Sequence, residues 1–254
     1  MSAAVRLEVN DGVGVLIIDR PEVRNAIDKP TADLIAAALD ELDSRDDLRA
    51  AVLTGAGGIF SAGMDLKALV RTGQRPLTAR GGFGIVERPP AKPLIAAVEG
   101  SALGGGFEMA LACDLIVAAD DARFALPEVT RGLVAAAGGV LRLPRRLPRN
   151  MAMEMVLVGA PLQADRLLEL GLVNRVVPAG RVLDEALDLA RAIAANAPLA
   201  VRTSKFLMDQ AADWPSDEAF ARQEPHTAAI RASADSKEGA RAFTEKRPPV
   251  WTGM

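Results

Sequence analysis

Two runs of small residues constrain this chain more than any other feature: Phe60-Ser61-Ala62-Gly63-Met64-Asp65-Leu66 and Ala102-Leu103-Gly104-Gly105-Gly106-Phe107-Glu108. Each follows a buried-strand pattern, Arg49–Thr54 in the first case and Pro93–Val98 in the second, and each leads into a helix pattern. The first N–H groups of a helix have no partner within it and carry a partial positive charge. Glycine at such a place lets a ligand come close to the backbone. Either run alone reads as a tight strand-to-helix connection. The two facing each other would offer a pair of backbone donors to a negatively charged oxygen.

Around these runs strand and helix alternate, and helices follow. Arg6–Asn10 and Gly14–Asp19 alternate apolar and polar about Asp11-Gly12, a hairpin signal because Asp-Gly accepts the positive φ of a tight turn. Pro21–Pro30 reads as loop, and Thr31–Asp46 as an amphipathic helix with Leu34, Ile35, Ala38, Leu39 and Leu42 on one face. A short helix is expected over Asp65–Arg71 and a helix over about Gly105–Ala112. Gly73–Pro93 is rich in glycine and proline and reads as a mobile loop. Leu115–Ala119 and Arg123–Ala125 are short strands joined at Asp120-Asp121. From Gly138 onward helices are expected over Gly138–Leu147, Asn150–Val158, Ala164–Leu170, Arg181–Asn196, Leu199–Asp213 and Ser216–Ser233. The class is α/β, with a soft boundary near Ala197-Pro198.

Composition works by exclusion. The 254 residues are 50% hydrophobic and 25% charged, enough apolar surface to offset the ordering of one large domain. A formal charge of −3 speaks against general nucleic-acid binding, which rests on Lys and Arg displacing counterions. One cysteine, Cys113, leaves no internal disulfide and no thiolate metal cage. One histidine, His226, argues against a histidine metal site and against a Ser-His-Asp triad that His226 does not itself serve. Met1 leads straight into strand-like sequence without the marks of a secretion signal, and no apolar run approaches the ~20 residues of a membrane helix. A cytoplasmic, reduced protein is expected. No GxxxxGK[ST] and no properly spaced GxGxxG occurs, so an enzyme built this way works with carboxylates and backbone dipoles.

Two carboxylates stand out. Glu108 lies three residues beyond Gly105, on the same helix face, amid Met109, Ala110, Leu111 and Ala112. Glu128 lies in Leu126-Pro127-Glu128-Val129, where it is either a solvated turn residue or a second buried acid. Burial raises a carboxyl pKa toward neutrality and suits it to acid–base work.

At these residues the chain resembles the enoyl-CoA hydratase/isomerase family, the crotonases. The matching positions run in family order: Arg20-Pro21 to Asn25-Ala26, Phe60–Leu66, Leu103–Glu108 with Cys113-Asp114, and Phe124–Glu128. They continue through Gly138-Gly139, Arg142-Leu143 and Gly171-Leu172-Val173 to Glu238-Gly239, Ala242-Phe243 and Glu245-Lys246-Arg247. Arg123–Pro127 and Phe243–Trp251 look like the carnitinyl-CoA dehydratase branch. The resemblance implies a crotonase-type right-handed spiral of ββα repeats over residues 1–197, with two roughly perpendicular sheets. Residues 198–254 would form a C-terminal helical region that packs into a homotrimer or a dimer of trimers. It further implies that the N–H groups of Met64 and Gly105 hold the thioester carbonyl of an acyl-CoA, and that Glu108 and Glu128 are the paired catalytic glutamates. Ala62, Asp65, Leu66 and Lys67 would contact the CoA moiety and Arg24 its phosphates, while Phe243 and Lys246 would reach a neighbouring subunit's CoA. No cofactor or metal beyond the CoA thioester substrate is implied. Leu133-Val134-Ala135-Ala136-Ala137 departs from the proline-containing stretch of familiar hydratases, which leaves the acyl preference open.

The expected activity is hydration of a 2-enoyl-CoA. Double-bond isomerisation, carnitinyl-CoA dehydration and non-catalytic acyl-CoA binding are the alternatives. The basic run Arg142, Arg145, Arg146, Arg149 reads as a solvated helix face, Cys113 as buried and inert, His226 as surface or interface, and Trp214 and Trp251 as packing residues.

Overall fold

The Asp11-Gly12 turn forms as expected: β1 (Val5–Asn10) pairs antiparallel with β2 (Val13–Ile18), and Asp11 and Gly12 take φ of 47° and 77°. The computed structural model that shows this describes residues 3–254. Helix α1 (Lys29–Ser44) follows, capped by Asp28, whose carboxylate accepts from the Thr31 N–H. It buries Ile35, Leu39 and Leu42, whereas Leu34, expected on that face, is exposed. Next come β3 (Ala50–Gly55), α2 (Leu66–Thr72), the two-residue strands β4 (Leu77–Thr78) and β5 (Gly81–Gly82), β6 (Leu94–Val98) and β7 (Ser101–Leu103). After α3 (Gly105–Ala112) come β8 (Leu115–Ala119), β9 (Arg123–Ala125) and a 3-10 turn over Pro127–Arg131. Then follow α4 (Gly139–Arg146), α5 (Arg149–Val158), β10 (Leu162–Gln163), α6 (Ala164–Glu169), β11 (Arg175–Val177) and α7 (Val182–Ala194). The last three helices are α8 (Pro198–Ala211), α9 (Ala219–Ala232) and α10 (Ala234–Glu245).

The larger sheet has six strands in the order β1-β2-β3-β6-β8-β11, parallel from β2 onward. Its central strands β3 and β6 are almost wholly buried, which is why Ala-Ala-Val-Leu-Thr-Gly and Leu-Ile-Ala-Ala-Val show no alternation. The smaller sheet runs β10-β9-β7, and a Ser61–Ala102 bridge prolongs it by one more parallel segment. Strand β6 passes into β7, and β8 into β9, so each turn of the chain gives one strand to each sheet before its helical segment. Three equivalent strand ends therefore lie side by side. The first leads to Met64, the second to Gly105 and the third to Glu128.

Three features differ from the sequence expectation. Gly73–Pro93 is no free flap. It holds the β4–β5 hairpin, buries Phe83, Ile85 and Val86, and is anchored by Arg80, whose guanidinium is buried against Asp40, Asp43 and the Arg88 carbonyl. The helix expected from Ser216 starts at Ala219, and α10, with Ser233 as its cap, was not anticipated. The short strands β7, β10 and β11 were also missed. The tail beyond α10 folds back: buried Asp235 accepts from the Thr252 and Gly253 N–H groups, and the Trp251 indole donates to the Ala195 carbonyl.

Candidate active site

The two small-residue runs lie against each other. Ser61 N–H donates to the Ser101 carbonyl, and Leu103 N–H to the Ser61 carbonyl. A methyl group added at Gly63 would stand 2.7 Å from the Gly105 nitrogen, and one at Gly106 2.2 Å from the Ser61 carbonyl oxygen. Only glycine permits this approach. The buried Ser61 hydroxyl donates to the Asn25 carbonyl at 2.8 Å and accepts from Gly63 N–H at 3.1 Å. Ile27 grips both sides of Met64, donating to the Gly63 carbonyl and accepting from Asp65 N–H. Asn25 is itself locked by its amide, which donates to the Ala56 and Ile59 carbonyls. Among the described residues, neither Met64 N–H nor Gly105 N–H has a hydrogen-bond partner in the chain. Gly105 is the first residue of α3, where the dipole favours negative charge, and Met64 immediately precedes Asp65, the cap of α2.

Glu108 is buried on α3, and its Oε1 accepts from Gly139 N–H at 2.9 Å. Burial pushes its carboxyl up to about 7; the Gly139 hydrogen bond opposes this and the Glu128 charge adds to it. Glu128, on the 3-10 turn, is half-buried and also raised, chiefly by burial. Its Oε2 is buried with no hydrogen-bond partner, and its Oε1 would stand 3.0 Å from a methyl group at Gly104. The second carboxylate is therefore no solvated turn residue. A buried acceptor left unsatisfied in the protein alone is a place for a ligand or a proton.

One cavity of about 1090 Å³ joins Arg24, Ala62, Met64, Leu66, Gly105, Glu108 and Glu128. Leu133, Val134, Ala136 and Ala137, the stretch read as shaping an acyl pocket, line it too. Asp65 and Lys67 are not in the wall. Asp65 caps α2 through Ala68 N–H and pairs with Arg20, so its side chain serves the turn. Phe243 and Lys246 lie away from this cavity, on α10 and just after it, with Phe243 almost fully exposed. Among the described residues, no three His, Cys, Asp or Glu side chains gather as a metal site, and no helix is long and apolar enough to cross a membrane.

Among the wall residues that escaped the sequence reading are Phe83 and Arg142. Phe83 is buried with φ of 56°, and a methyl group on Gly105 would overlap its ring at 2.1 Å. The flanking Gly82 and Gly84 were its only signal. Arg142 also lines the cavity, and its guanidinium donates to the Val86 carbonyl, while Arg146 donates to the Cys113 carbonyl. The basic run is thus not a uniformly solvated face: Arg145 and Arg149 are exposed, whereas Arg142 turns inward.

A family model described as enoyl-CoA hydratase/isomerase matches residues 8–254. The chain is 43% identical to the carnitinyl-CoA dehydratase of Shigella flexneri over 264 aligned positions, which cover all of both proteins. It is similar to the crystal structure of an enoyl-CoA hydratase from Mycobacterium tuberculosis H37Rv, with a TM-score of 0.97 at 49% identity over 99% of each chain. It is likewise similar to that of a carnitinyl-CoA hydratase from Mycobacterium avium, with a TM-score of 0.80 at 44% identity over all of both chains.

Proposed function

The chain belongs to the enoyl-CoA hydratase/isomerase family and has the crotonase fold, and from that premise we propose that it catalyses reversible syn addition of water to the double bond of a 2-enoyl-CoA. The observation that carries this reading is the meeting, in one cavity, of two unengaged backbone N–H groups and two carboxyls raised by burial.

Met64 and Gly105 N–H groups receive the thioester oxygen and stabilise the enolate charge that builds there; one such donor is typically worth about 10²–10³ in rate. Glu108 takes a proton from water as the hydroxyl oxygen bonds to Cβ, and Glu128 delivers a proton to Cα. A carboxyl near 7 is poised for that exchange, since at neutral pH it is populated both with and without its proton. Arg24, Ala62 and Leu66 border the CoA end, with Asp65 and Lys67 contributing backbone. The thioester is the substrate, and no cofactor enters these steps.

Dehydration of a carnitinyl-type thioester is the second reading, favoured by the full-length identity to carnitinyl-CoA dehydratases. Isomerisation needs only one shuttling carboxylate and would tolerate loss of Glu108; a non-catalytic binder would turn over nothing. The deciding experiment follows loss of the conjugated thioester absorbance with a panel of enoyl-CoAs, carnitinyl-type thioesters included. Glu108→Gln and Glu128→Gln should each lower turnover by at least ~10²-fold. Full activity in either variant rejects the two-acid mechanism, and CoA binding without turnover of any substrate rejects an enzyme.

The helices α8 to α10 expose Phe206, Met208, Phe220 and Phe243, which fits assembly into a trimer or pair of trimers through residues 198–254. Sedimentation equilibrium should give a multiple of three times the 26.7 kDa chain; a monomer rejects this.

A further inference from the structure

We propose that Arg142 is a positioning residue for Glu108, joining the α4 amino terminus that holds this carboxylate to the segment that carries Phe83. The proposal rests on the reading of Glu108 as the acid–base group.

The geometry around the start of α4 carries it. Gly139 N–H donates to Glu108 Oε1. One residue earlier, Gly138 takes φ of 103°, and a methyl group there would lie 2.2 Å from Arg142 Nη1. The guanidinium therefore folds back beneath the amino terminus of its own helix. Its Nη2 donates to the Val86 carbonyl, in the buried segment that sets Phe83 against Gly105. A cation at a helix amino terminus opposes the dipole, and burying it costs solvation. Arg145, three residues on, avoids both by remaining exposed and pairing with Asp213. The Val86 carbonyl offsets part of those costs, and Glu108 Oε1, held by Gly139 N–H, brings an opposite charge to the same helix start.

Few charged groups act here. Glu128, from the 3-10 turn, raises Glu108, whereas Arg142 favours its ionised form. Arg146 and, from α8, Asp209 act on Arg142; Arg131 acts on Glu128; Arg75 and Glu87 reach the cavity from the Gly73–Pro93 segment. Removing the Arg142 charge should therefore make Glu108 hold its proton more tightly.

The test is a ¹³C-carboxylate NMR titration of Glu108 in the full chain, with Glu108→Gln used to assign the signal. Arg142→Gln removes the charge and keeps a donor for the Val86 carbonyl; Arg142→Lys keeps the charge. The midpoint should rise in Arg142→Gln, the direction expected when an opposite charge is lost. It should stay near the wild-type value in Arg142→Lys. An Arg142→Gln midpoint equal to wild type overturns the proposal, as does an equal rise in both variants. If Arg142→Gln does not fold, Arg142→Met, which keeps the packing volume, takes its place. Should neither neutral variant fold, a midpoint raised in Arg142→Lys overturns the proposal and an unmoved one supports it. The readout does not need turnover, so a protein that hydrates no enoyl-CoA but shows the expected titration rejects the hydratase reading and leaves Arg142 in its role.

Discussion

The two ends of this chain bury themselves in opposite ways. In the sheet region, β3, β6 and β8 carry no polar side chain but Thr54 and are almost wholly enclosed, and α7 lays Val182, Ala186, Leu187 and Ala190 against the core. In the last three helices, α8 and α9 bury no residue at all, and two of the three that α10 buries, Asp235 and Glu238, are acids holding the returning tail. The first region can be rigid by itself, which is what a pair of backbone donors requires, because a donor helps the transition state only if it is already in place. The second region presents aromatic surface that water solvates poorly, so its order depends more on polar ties to the core and on whatever covers that surface. Changes in the first region should therefore act on rate, and changes in the second on stability and assembly.

The largest expected effect tests the rigid half. Gly105 is the first residue of α3, where proline is compatible with helix geometry. Gly105→Pro removes one of the paired N–H donors, but its ring would also strike Phe83. The informative form is therefore Gly105→Pro in a Phe83→Ala background. The double variant should fold, and its kcat should fall by about 10²–10³ relative to Phe83→Ala alone. Equal rates in the two would remove Gly105 from the oxyanion site.

The next effect separates function from stability within the same half. Glu108 titrates near 7 in the folded chain against an ordinary value of 4.5, so the folded state binds its proton more tightly than the unfolded chain does. The stability associated with the neutral carboxyl is present below about pH 4.5 and is lost as pH rises toward 7. Glu108→Gln can keep the Gly139 hydrogen bond and has no charge to bury. It should match wild type at pH 4 and be more stable at pH 8, by roughly 2–3 kcal/mol. Thermal unfolding at the two pH values, at fixed protein concentration, checks this. A variant less stable than wild type at pH 8 would mean that ionised Glu108 is better solvated than its burial implies.

How much of this was legible beforehand follows the same division. The hairpin at Asp11-Gly12, the strand Leu94–Val98 and the helix Gly105–Ala112 could be read because local turn chemistry and apolar runs specify them. Glu108 and Glu128 could be picked out because a carboxylate in an apolar run is conspicuous. Strands β7, β10 and β11 have two or three residues each and owe their form to pairing with distant partners, so no local period marks them. Gly73–Pro93 misled for a related reason. Its glycines serve close approach rather than freedom: a methyl group at Gly84 would lie 2.3 Å from the Ala32 carbonyl oxygen of α1. Arg142 was hidden because charge in a basic run suggests solvent, and only the fold of the preceding glycine turn brings it inside.

The smallest effects measure how the helical end is tied on. Two ion pairs join α8 or the residues just after it to the core, and they differ in surroundings rather than in length. Lys205 Nζ lies 2.7 Å from Asp114 Oδ2 and also donates to the Pro90 and Lys92 carbonyls, and its side chain is only 13% exposed. Arg145 meets Asp213 at 2.9 Å, with both side chains more than 60% exposed. Breaking the first takes the cation from two carbonyls and leaves the Asp114 carboxylate only the Leu94 N–H in a half-dry site, so Lys205→Met should cost about 2–3 kcal/mol. Breaking the second returns both groups to water, and Arg145→Met should cost less than about 0.5 kcal/mol. Denaturant unfolding of both variants at one protein concentration compares them. Salt sharpens the contrast, because screening weakens exposed pairs far more than enclosed ones. If Lys205→Met cost no more than Arg145→Met, α8 would be held by its neighbouring helices rather than by this tie, and the polar attachment of the helical end would lose its main support.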